Sequence, residues 1–113
     1  MGAIAGTRSS FGKITTTQKI EDLPGASDNP LEIDCSSHQV VQIFLYSSTA
    51  FHYCVSDSQT NANTAIASDT TRGYLPAGVY SVPVAGTTNK FYLRAATGTA
   101  VTDAVSYSLI EED

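Results

Sequence analysis

Along most of the chain, short runs of apolar and β-branched residues alternate with Gly, Pro, Asn, Asp and Ser. No window repeats apolar positions at every third and fourth residue, the spacing that an amphipathic helix requires. Segment 31–35, LEIDC, instead alternates residue by residue, so its apolar side chains share one face. Segment 39–46, QVVQIFLY, is apolar on both faces and is predicted to be a buried central strand. The pattern predicts almost no helix and strands at about 13–20, 31–35, 39–46, 50–55, 71–75, 79–84, 90–96 and 100–110.

Turn residues between these runs indicate hairpins. In LPAGVY, Pro76 fixes φ and Gly78 supplies a positive φ that other residues resist. Gly86 and Gly98 have the same role in the next two turns. Short strands with turns every 8–12 residues or so are typical of β-sandwiches and barrels. We therefore predict an all-β fold, an antiparallel β-sandwich of jelly-roll or immunoglobulin-like topology with about 7–8 short strands.

Two segments differ from this pattern. Residues 1–12, MGAIAGTRSSFG, are small and polar without a period, which indicates an extended segment that does not pack on itself. We predict a basic N-terminal arm at 1–20 and a single β-sandwich domain at 21–113. Residues 56–70 form a polar connection with a lone Ile66. Connections of that length are usually either mobile or functional.

Composition and charge narrow the functional classes. The 113 residues suit one domain, and charged residues make up only 15%, against about 25% in an average protein. All eleven acids lie from Glu21 onward, against the three cations Arg72, Lys90 and Arg94, so residues 21–113 carry a charge of −8 (3 − 11) within the net −5 of the chain. This acidic domain argues against nucleic-acid binding. No apolar run reaches the roughly 18 residues of a membrane span. We see no signal-peptide pattern and expect a reducing cytoplasm as the site of synthesis.

The histidines and cysteines raise the question of a metal or redox site. His52 and Cys54 point to one face of a predicted strand, and Cys35 with His38 would complete a two-Cys, two-His set. This spacing matches no recurrent zinc motif, and the expected compartment disfavours a Cys35–Cys54 disulfide. We interpret both cysteines as small apolar fillers of the core and His52 as a residue at an interface or the sheet surface.

No catalytic motif is present. The sequence lacks G-x-S-x-G, a Walker loop, G-x-G-x-x-G and H-E-x-x-H. A Cys54–His52 couple has no recognisable orienting group, and Glu32 and Asp34 fit solvated carboxylates better than a catalytic or calcium pair. We predict that the protein is not an enzyme and has no catalytic, metal or cofactor site.

Three segments carry a family resemblance: HQVVQIFLYSSTAFHYCVS at 38–56, YLPAGVYSVPV at 74–84 and KFYLRAATGTAVTDAV at 90–105. They lie within residues 38–105, a span of 68 of the 113 residues. The pattern resembles small β-sandwich virion accessory proteins of tailed bacteriophages, namely capsid decoration or cement proteins and head-fibre bases. The resemblance implies a structural protein on the capsid surface, assembled in the host cytoplasm. Its implied partners are the major capsid protein or other virion proteins, and its implied state is a homo-oligomer, with a trimer favoured.

The predicted contacts with partners come from the arm and from tyrosines on strands. Docking of the arm would bury its apolar side chains and place its cations against carboxylates. Tyr suits interfaces because it combines a large apolar area with a hydroxyl that remains solvated. The predicted partner-binding residues are Arg8, Phe11, Lys13, Ile14, Lys19, Tyr74, Tyr80 and Tyr92.

Alternatives remain open at this point. One is a tail or baseplate adaptor or a head-fibre base. Another is a carbohydrate- or host-surface-binding module that uses segment 56–70 and nearby tyrosines, although the chain has no Trp. The last is an enzyme that uses Cys54 and His52.

Overall fold

The structure is a computed structural model that describes residues 14–35, 40–84 and 89–112. Strands occupy these segments at nearly all of the predicted positions. The elements, in chain order, are β1 (Ile14–Leu23), β2 (Leu31–Ile33), β3 (Val40–Ser47), β4 (Phe51–Ser56), α1 (Gln59–Ile66), β5 (Gly73–Leu75), β6 (Gly78–Pro83), β7 (Lys90–Ala95) and β8 (Val101–Glu112).

The strands form two four-stranded antiparallel sheets. We name the sheet with strand order β1-β8-β3-β6 sheet A and the one with order β2-β7-β4-β5 sheet B. In both sheets, strands distant in sequence are neighbours, and most connections cross from one sheet to the other. This arrangement of eight strands in two Greek keys is the jelly roll. The predicted all-β antiparallel sandwich is thus confirmed, with the jelly-roll topology.

The core lies between the sheets. Alternate residues of each strand point into this layer, where Phe51 packs edge-on against Tyr80 with ring centroids 5.8 Å apart. Burial of such side chains contributes about 25 cal/mol per Å² of apolar surface, the main favourable term in folding. The buried residues of this core are Leu23, Ile33, Cys35, Val40, Ile43, Leu45, Phe51, Phe91, Leu93, Ala95, Ala104, Val105 and Tyr107.

Strand β3 corrects one prediction. It lies inside sheet A, between β8 and β6, but only one of its faces is buried. Ile43 and Leu45 face the core, whereas Phe44 and Tyr46 are 43% and 46% exposed. The expectation that segment 39–46 is buried on both faces is therefore wrong. Apolar side chains on the second face of a strand require a second covering layer, and nothing in the described chain supplies one here.

A helix replaces part of the predicted loop at 56–70. Ser58 caps α1, because its hydroxyl accepts a hydrogen bond from the Asn61 backbone N–H at 3.2 Å. Ala62 and Ile66, four residues apart, are buried against sheet B. The helix has just these two buried residues in eight, so the sequence showed no extended helical period.

The predicted boundary between arm and domain falls inside β1. Residues 14–20 pair with β8 as part of sheet A, because β1 extends over Ile14–Leu23. Residues 1–13, the rest of the predicted arm, lie outside the described residues. Among the helices of the described chain, none has the length and hydropathy of a membrane span.

Candidate interaction surfaces

The central part of the outer face of sheet A is uncharged. The strand registers place side chains of β1, β8, β3 and β6 in rows across this face, for example Ile20, Ser106, Tyr46 and Val79. We call this surface the uncharged face; it consists of Gln18, Ile20, Gln42, Phe44, Tyr46, Val79, Ser81, Pro83, Ser106, Ser108 and Ile110.

Large apolar side chains of the uncharged face are open to solvent. Ile20 is 60% exposed and Val79 is 75% exposed, and Phe44 and Tyr46 lie between them. A shallow groove of about 180 Å³ runs over Phe44, Tyr46 and Val79. Around these residues the polar groups are hydroxyls and amides, such as Gln42, whose side-chain amide donates to the Ser81 hydroxyl. Contiguous apolar surface of this kind usually marks a site of contact with another molecule.

The outer face of sheet B is different because α1 covers part of it. Tyr92 and Cys54 are buried beneath Ala62 and Ile66. The Tyr92 hydroxyl donates a hydrogen bond to the Glu32 carboxylate at 2.7 Å. Burial, and then this bond to Glu32, raises the pKa of Tyr92 well above its ordinary value. The Tyr92 hydroxyl therefore stays protonated and donates to Glu32 at the edge of the small cluster formed by Cys54, Ala62, Ile66 and Tyr92.

Beside the helix, sheet B carries a group of cationic and aromatic side chains. Arg94, His52 and Tyr74 lie directly opposite one another on β7, β4 and β5. The rings of His52 and Tyr74 meet edge to face with centroids 5.9 Å apart. Arg72, two residues before Tyr74, donates from Nη1 to the Ile66 carbonyl at 3.2 Å. We call His52, Arg72, Tyr74 and Arg94 the cationic cluster.

The charges of this cluster act on one another. Partial burial lowers the pKa of His52, and the nearby Arg72 and Arg94 guanidinium groups lower it further. Arg94 donates from Nη1 to the Asp28 backbone carbonyl at 2.8 Å, and its Nε is buried without a hydrogen-bond partner in the described chain. Neither arginine forms an ion pair with a carboxylate in residues 14–35, 40–84 and 89–112. At neutral pH the imidazole is uncharged and available as a hydrogen-bond donor or acceptor.

The predicted tyrosines have three different environments. Tyr74 is 59% exposed and remains a candidate contact residue. Tyr80 is half-buried, with its hydroxyl donating to the Pro76 carbonyl at 2.6 Å, so it mainly fixes the turn before β6. Tyr92 is fully buried and cannot touch a partner. Its prediction as a partner-binding residue is wrong, because α1, which the sequence did not predict, covers it.

The predicted arm residues are mostly outside the description. Arg8, Phe11 and Lys13 lie in the undescribed segment. Ile14 is the first residue of β1 and pairs with Glu112. Lys19 is exposed on β1, the edge strand of sheet A. Lys19 is not part of the uncharged face, and the contacts of all five residues stay a prediction.

Sequence reasoning missed the two surfaces themselves. The uncharged face depends on the neighbours β8 and β3, and the cationic cluster depends on the pairing of β7, β4 and β5. The available signal was weak: Phe44 and Tyr46 alternate with Ile43 and Leu45, which marked one face of β3 as a second apolar surface.

The cysteines occupy separate layers. Both are free and buried, Cys35 in the core between the sheets and Cys54 beneath α1, which confirms their interpretation as core fillers. Burial raises the pKa of each thiol, whereas the pKa of His52 is lowered. A nucleophilic thiolate–imidazolium pair needs the opposite shifts. Within the described residues no group of three or more His, Cys, Asp or Glu side chains has the geometry of a metal site; His38 lies outside them.

Comparison with known proteins identifies the fold. No protein-family model matches the chain, and no curated protein matches it. Among solved structures, the coat protein of Tobacco streak virus is similar with a TM-score of 0.55 and 8% identity, over 96% of this chain and 90% of that one. CoII HppE in complex with Tris buffer aligns with 86% of this chain and 44% of its own, at 20% identity and a TM-score of 0.43. A de novo designed double-stranded β-helix aligns with 89% of this chain and 99% of its own, at 11% identity and a TM-score of 0.33. Of these, the coat protein supports the fold, and the chain is accordingly an eight-stranded jelly roll of the kind found in a viral coat protein.

Proposed function

We propose that this protein is a structural protein of a virion, a decoration or cement protein that binds and stabilises the head shell of a tailed bacteriophage. The observation that carries the proposal is the uncharged face of sheet A. A jelly roll with an exposed, uncharged sheet surface is suited to lie against another protein. The resemblance of segments 38–56, 74–84 and 90–105 to phage accessory proteins supplies the choice of partner.

The size of the uncharged face suggests how attachment works. Four strands about 4.8 Å apart and three same-side positions about 6.8 Å apart give roughly 19 by 20 Å, or about 400 Å². A stable interface buries about 800 Å² on each partner. The face therefore supplies about half of a standard interface, and a second contact is needed. We propose that the arm at 1–13 provides it.

The charge distribution agrees with two separate contacts, one by the uncharged face and one by the arm. The domain is acidic, but a partner that docks on the uncharged face does not have to approach or desolvate carboxylate groups. The arm carries Arg8 and Lys13, and Lys19 follows on the exposed edge of β1. These cations suit acidic groups on a shell subunit. Many such weak attachments on one shell, or within one homo-oligomer, add through multivalency.

The uncharged face is tested by the substitution Phe44→Glu. The matched control is Val55→Glu, since Val55 is 55% exposed on β4, outside the uncharged face. We expect Phe44→Glu to weaken binding to undecorated head shells at least tenfold in co-sedimentation, and Val55→Glu to bind like the original protein. Circular dichroism checks that both variants are folded. Equal binding by the two variants would exclude the uncharged face from attachment.

The arm is tested by deletion of residues 1–13. A longer deletion to residue 20 would remove most of β1 and damage sheet A, so it would not isolate the arm. We expect the shortened protein to fold normally and to bind shells more weakly. Unchanged binding would remove the arm from the mechanism.

A tail or baseplate adaptor or a head-fibre base would use the same kind of surface. These positions differ from a decoration protein in the number of copies per particle, which quantitative mass spectrometry of purified virions measures. Mass determination in solution tests the proposed homo-oligomer. A trimer is expected from the resemblance, whereas self-packing of the uncharged face about a two-fold axis would give a dimer.

A further inference from the structure

We propose that the cationic cluster on sheet B is a binding site for a carboxylate-bearing sugar. This inference goes beyond shell attachment, which we assign to the uncharged face of the other sheet. It rests on three features: Arg94, His52 and Tyr74 lie in one row with Arg72 beside it, the two guanidinium groups have no paired carboxylate in the described chain, and the ring of Tyr74 is exposed.

The placement is set by the sheet. Residues directly opposite on neighbouring antiparallel strands have Cβ atoms about 4.5–5.5 Å apart, so Arg94, His52 and Tyr74 form a continuous row over β7, β4 and β5. Arg72 enters the same area from the connection between α1 and β5. Three strands and the end of a helix therefore fix the cluster, and the site does not depend on a long loop.

The charge is the second feature. Backbone carbonyls hold both guanidinium groups, that of Ile66 for Arg72 and that of Asp28 for Arg94. Both groups lie close enough to His52 to act on its titration. In the described part of the chain no carboxylate is paired with either of them, although the protein has eleven acids and six cations. An anion bound beside His52 would be attracted by both guanidinium groups and would form charge-assisted hydrogen bonds.

The exposed ring indicates what carries the anion. Tyr74 is 59% exposed, so much of its ring is open to solvent beside the two cations. Its edge contact with His52 holds the ring in place. An aromatic surface with a few convergent polar groups suits a ligand that has both an apolar patch and a charged group. A pyranose with a carboxylate has these properties in one small molecule, whereas phosphate or acetate would leave the ring without a contact.

The test is an NMR titration of the full chain with four probes at pH 7: glucuronic acid, glucose, acetate and inorganic phosphate. We expect glucuronic acid to shift the Tyr74 and His52 ring signals and to bind at least tenfold more tightly than each of the others. We also expect it to raise the pKa of His52, because the bound carboxylate favours the imidazolium. The His38→Gln variant assigns the two histidine signals.

Two variants separate the roles of ring and charge. Tyr74→Ala should reduce the affinity for glucuronic acid to that for acetate, and Arg72→Gln should reduce it at least tenfold. Tyr46→Ala, which removes an exposed tyrosine from the uncharged face of sheet A, should have no effect.

Several results would overturn the proposal. Equal binding of acetate or phosphate would reduce the cluster to a simple anion site. The peptide Glu-Glu-Asp is titrated as a fifth probe, and tighter binding of this peptide would indicate a protein ligand. Failure of glucuronic acid to bind, or full binding by Tyr74→Ala, would exclude the sugar. The Phe44→Glu substitution that tests shell binding lies on sheet A, whereas the cationic cluster lies on sheet B. Failure of one proposal therefore does not imply failure of the other.

Discussion

His52 shows how a single side chain reports on its neighbours. Its imidazole is half-buried between two arginines, and both burial and the positive charges disfavour protonation. Its pKa therefore lies below the ordinary value of about 6.5 in the folded protein but not in the unfolded chain.

Acidification should therefore destabilise the fold through His52. Between pH 6.5 or so and the lower folded pKa, the unfolded chain binds more protons, so the free energy of unfolding decreases as the pH falls. This contribution is fully present above about pH 6.5. Urea unfolding at pH 7 and pH 5 checks the expectation. The His52→Gln variant should lose less stability over this interval than the original protein; an identical loss would contradict the assignment.

Gly73 is required by a close contact and not by its backbone angle. A Cβ atom at this position would overlap the ring of Tyr53. That ring stacks on Phe91 with centroids 5.6 Å apart, so it cannot move aside without losing a packing contact.

The substitution Gly73→Ala should thus destabilise the protein by about 1–3 kcal/mol, the usual cost of overpacking. Chemical denaturation measures the effect. In a Tyr53→Leu background the same substitution should cost much less, because the overlapping atoms are gone. Equal costs in the two backgrounds would show that the Tyr53 ring is not the cause.

Both thiols should react slowly in the folded protein. Burial raises the pKa values of Cys35 and Cys54, which lowers the fraction of reactive thiolate, and also blocks access. Mass spectrometry after iodoacetamide treatment at pH 8 should show modification at less than about a tenth of the rate in urea. Rapid alkylation of Cys54 in the native protein would instead revive the enzyme hypothesis.

At the scale of elements, strands were predictable and the helix was not. The alternation in β2 and the turn residues around β6 are local signals, and local signals fix where a strand begins and ends. Helix α1 is stabilised by contacts of Ala62 and Ile66 with Tyr92 and Cys54, which belong to strands elsewhere in the chain. The wrong prediction for Tyr92 has the same cause. The sequence shows no helical period at 59–66, so it does not show that a helix covers Tyr92.

The N-cap of α1 should contribute measurably to stability. Ser58→Ala removes the acceptor for the Asn61 N–H and should cost about 0.5–2 kcal/mol. The control is Thr64→Ala at an exposed helix position, where the better helix propensity of Ala should leave stability equal or slightly higher. Thermal unfolding followed by circular dichroism measures both. If Ser58→Ala leaves the stability unchanged, water replaces the Ser58 hydroxyl as acceptor for the Asn61 N–H at little cost.

At the scale of the whole molecule, the sequence predicted a sandwich but left its topology open. Turn and alternation patterns do not determine which strands become neighbours, so jelly-roll and immunoglobulin-like arrangements remained equally compatible. Both candidate surfaces depend on that order. The uncharged face requires β8 between β1 and β3, and the cationic cluster requires β4 between β7 and β5.

Removal of β8 should therefore abolish the fold, whereas removal of residues 1–13 should not. Among the described residues β1 pairs with β8 alone, so a chain ending at residue 100 leaves β1 unpaired there and exposes an edge of β3. Circular dichroism and one-dimensional NMR should show an unfolded or aggregated protein. A cooperative thermal transition in that truncated chain would contradict the central role of β8.

The position of β8 also governs when the protein can acquire its shape in the cell. Because the strand at Val101–Glu112 is the last of the eight to leave the ribosome, sheet A has no complete form while the first hundred residues are being translated. Unpaired strand edges of a nascent β chain pair with other chains and cause aggregation. The nascent protein is therefore prone to aggregate until synthesis has passed residue 112. Sheet A of this jelly roll can therefore form only after its last strand has been made, and its yield should respond to chaperone supply more strongly than to codon-dependent pauses within the first four strands.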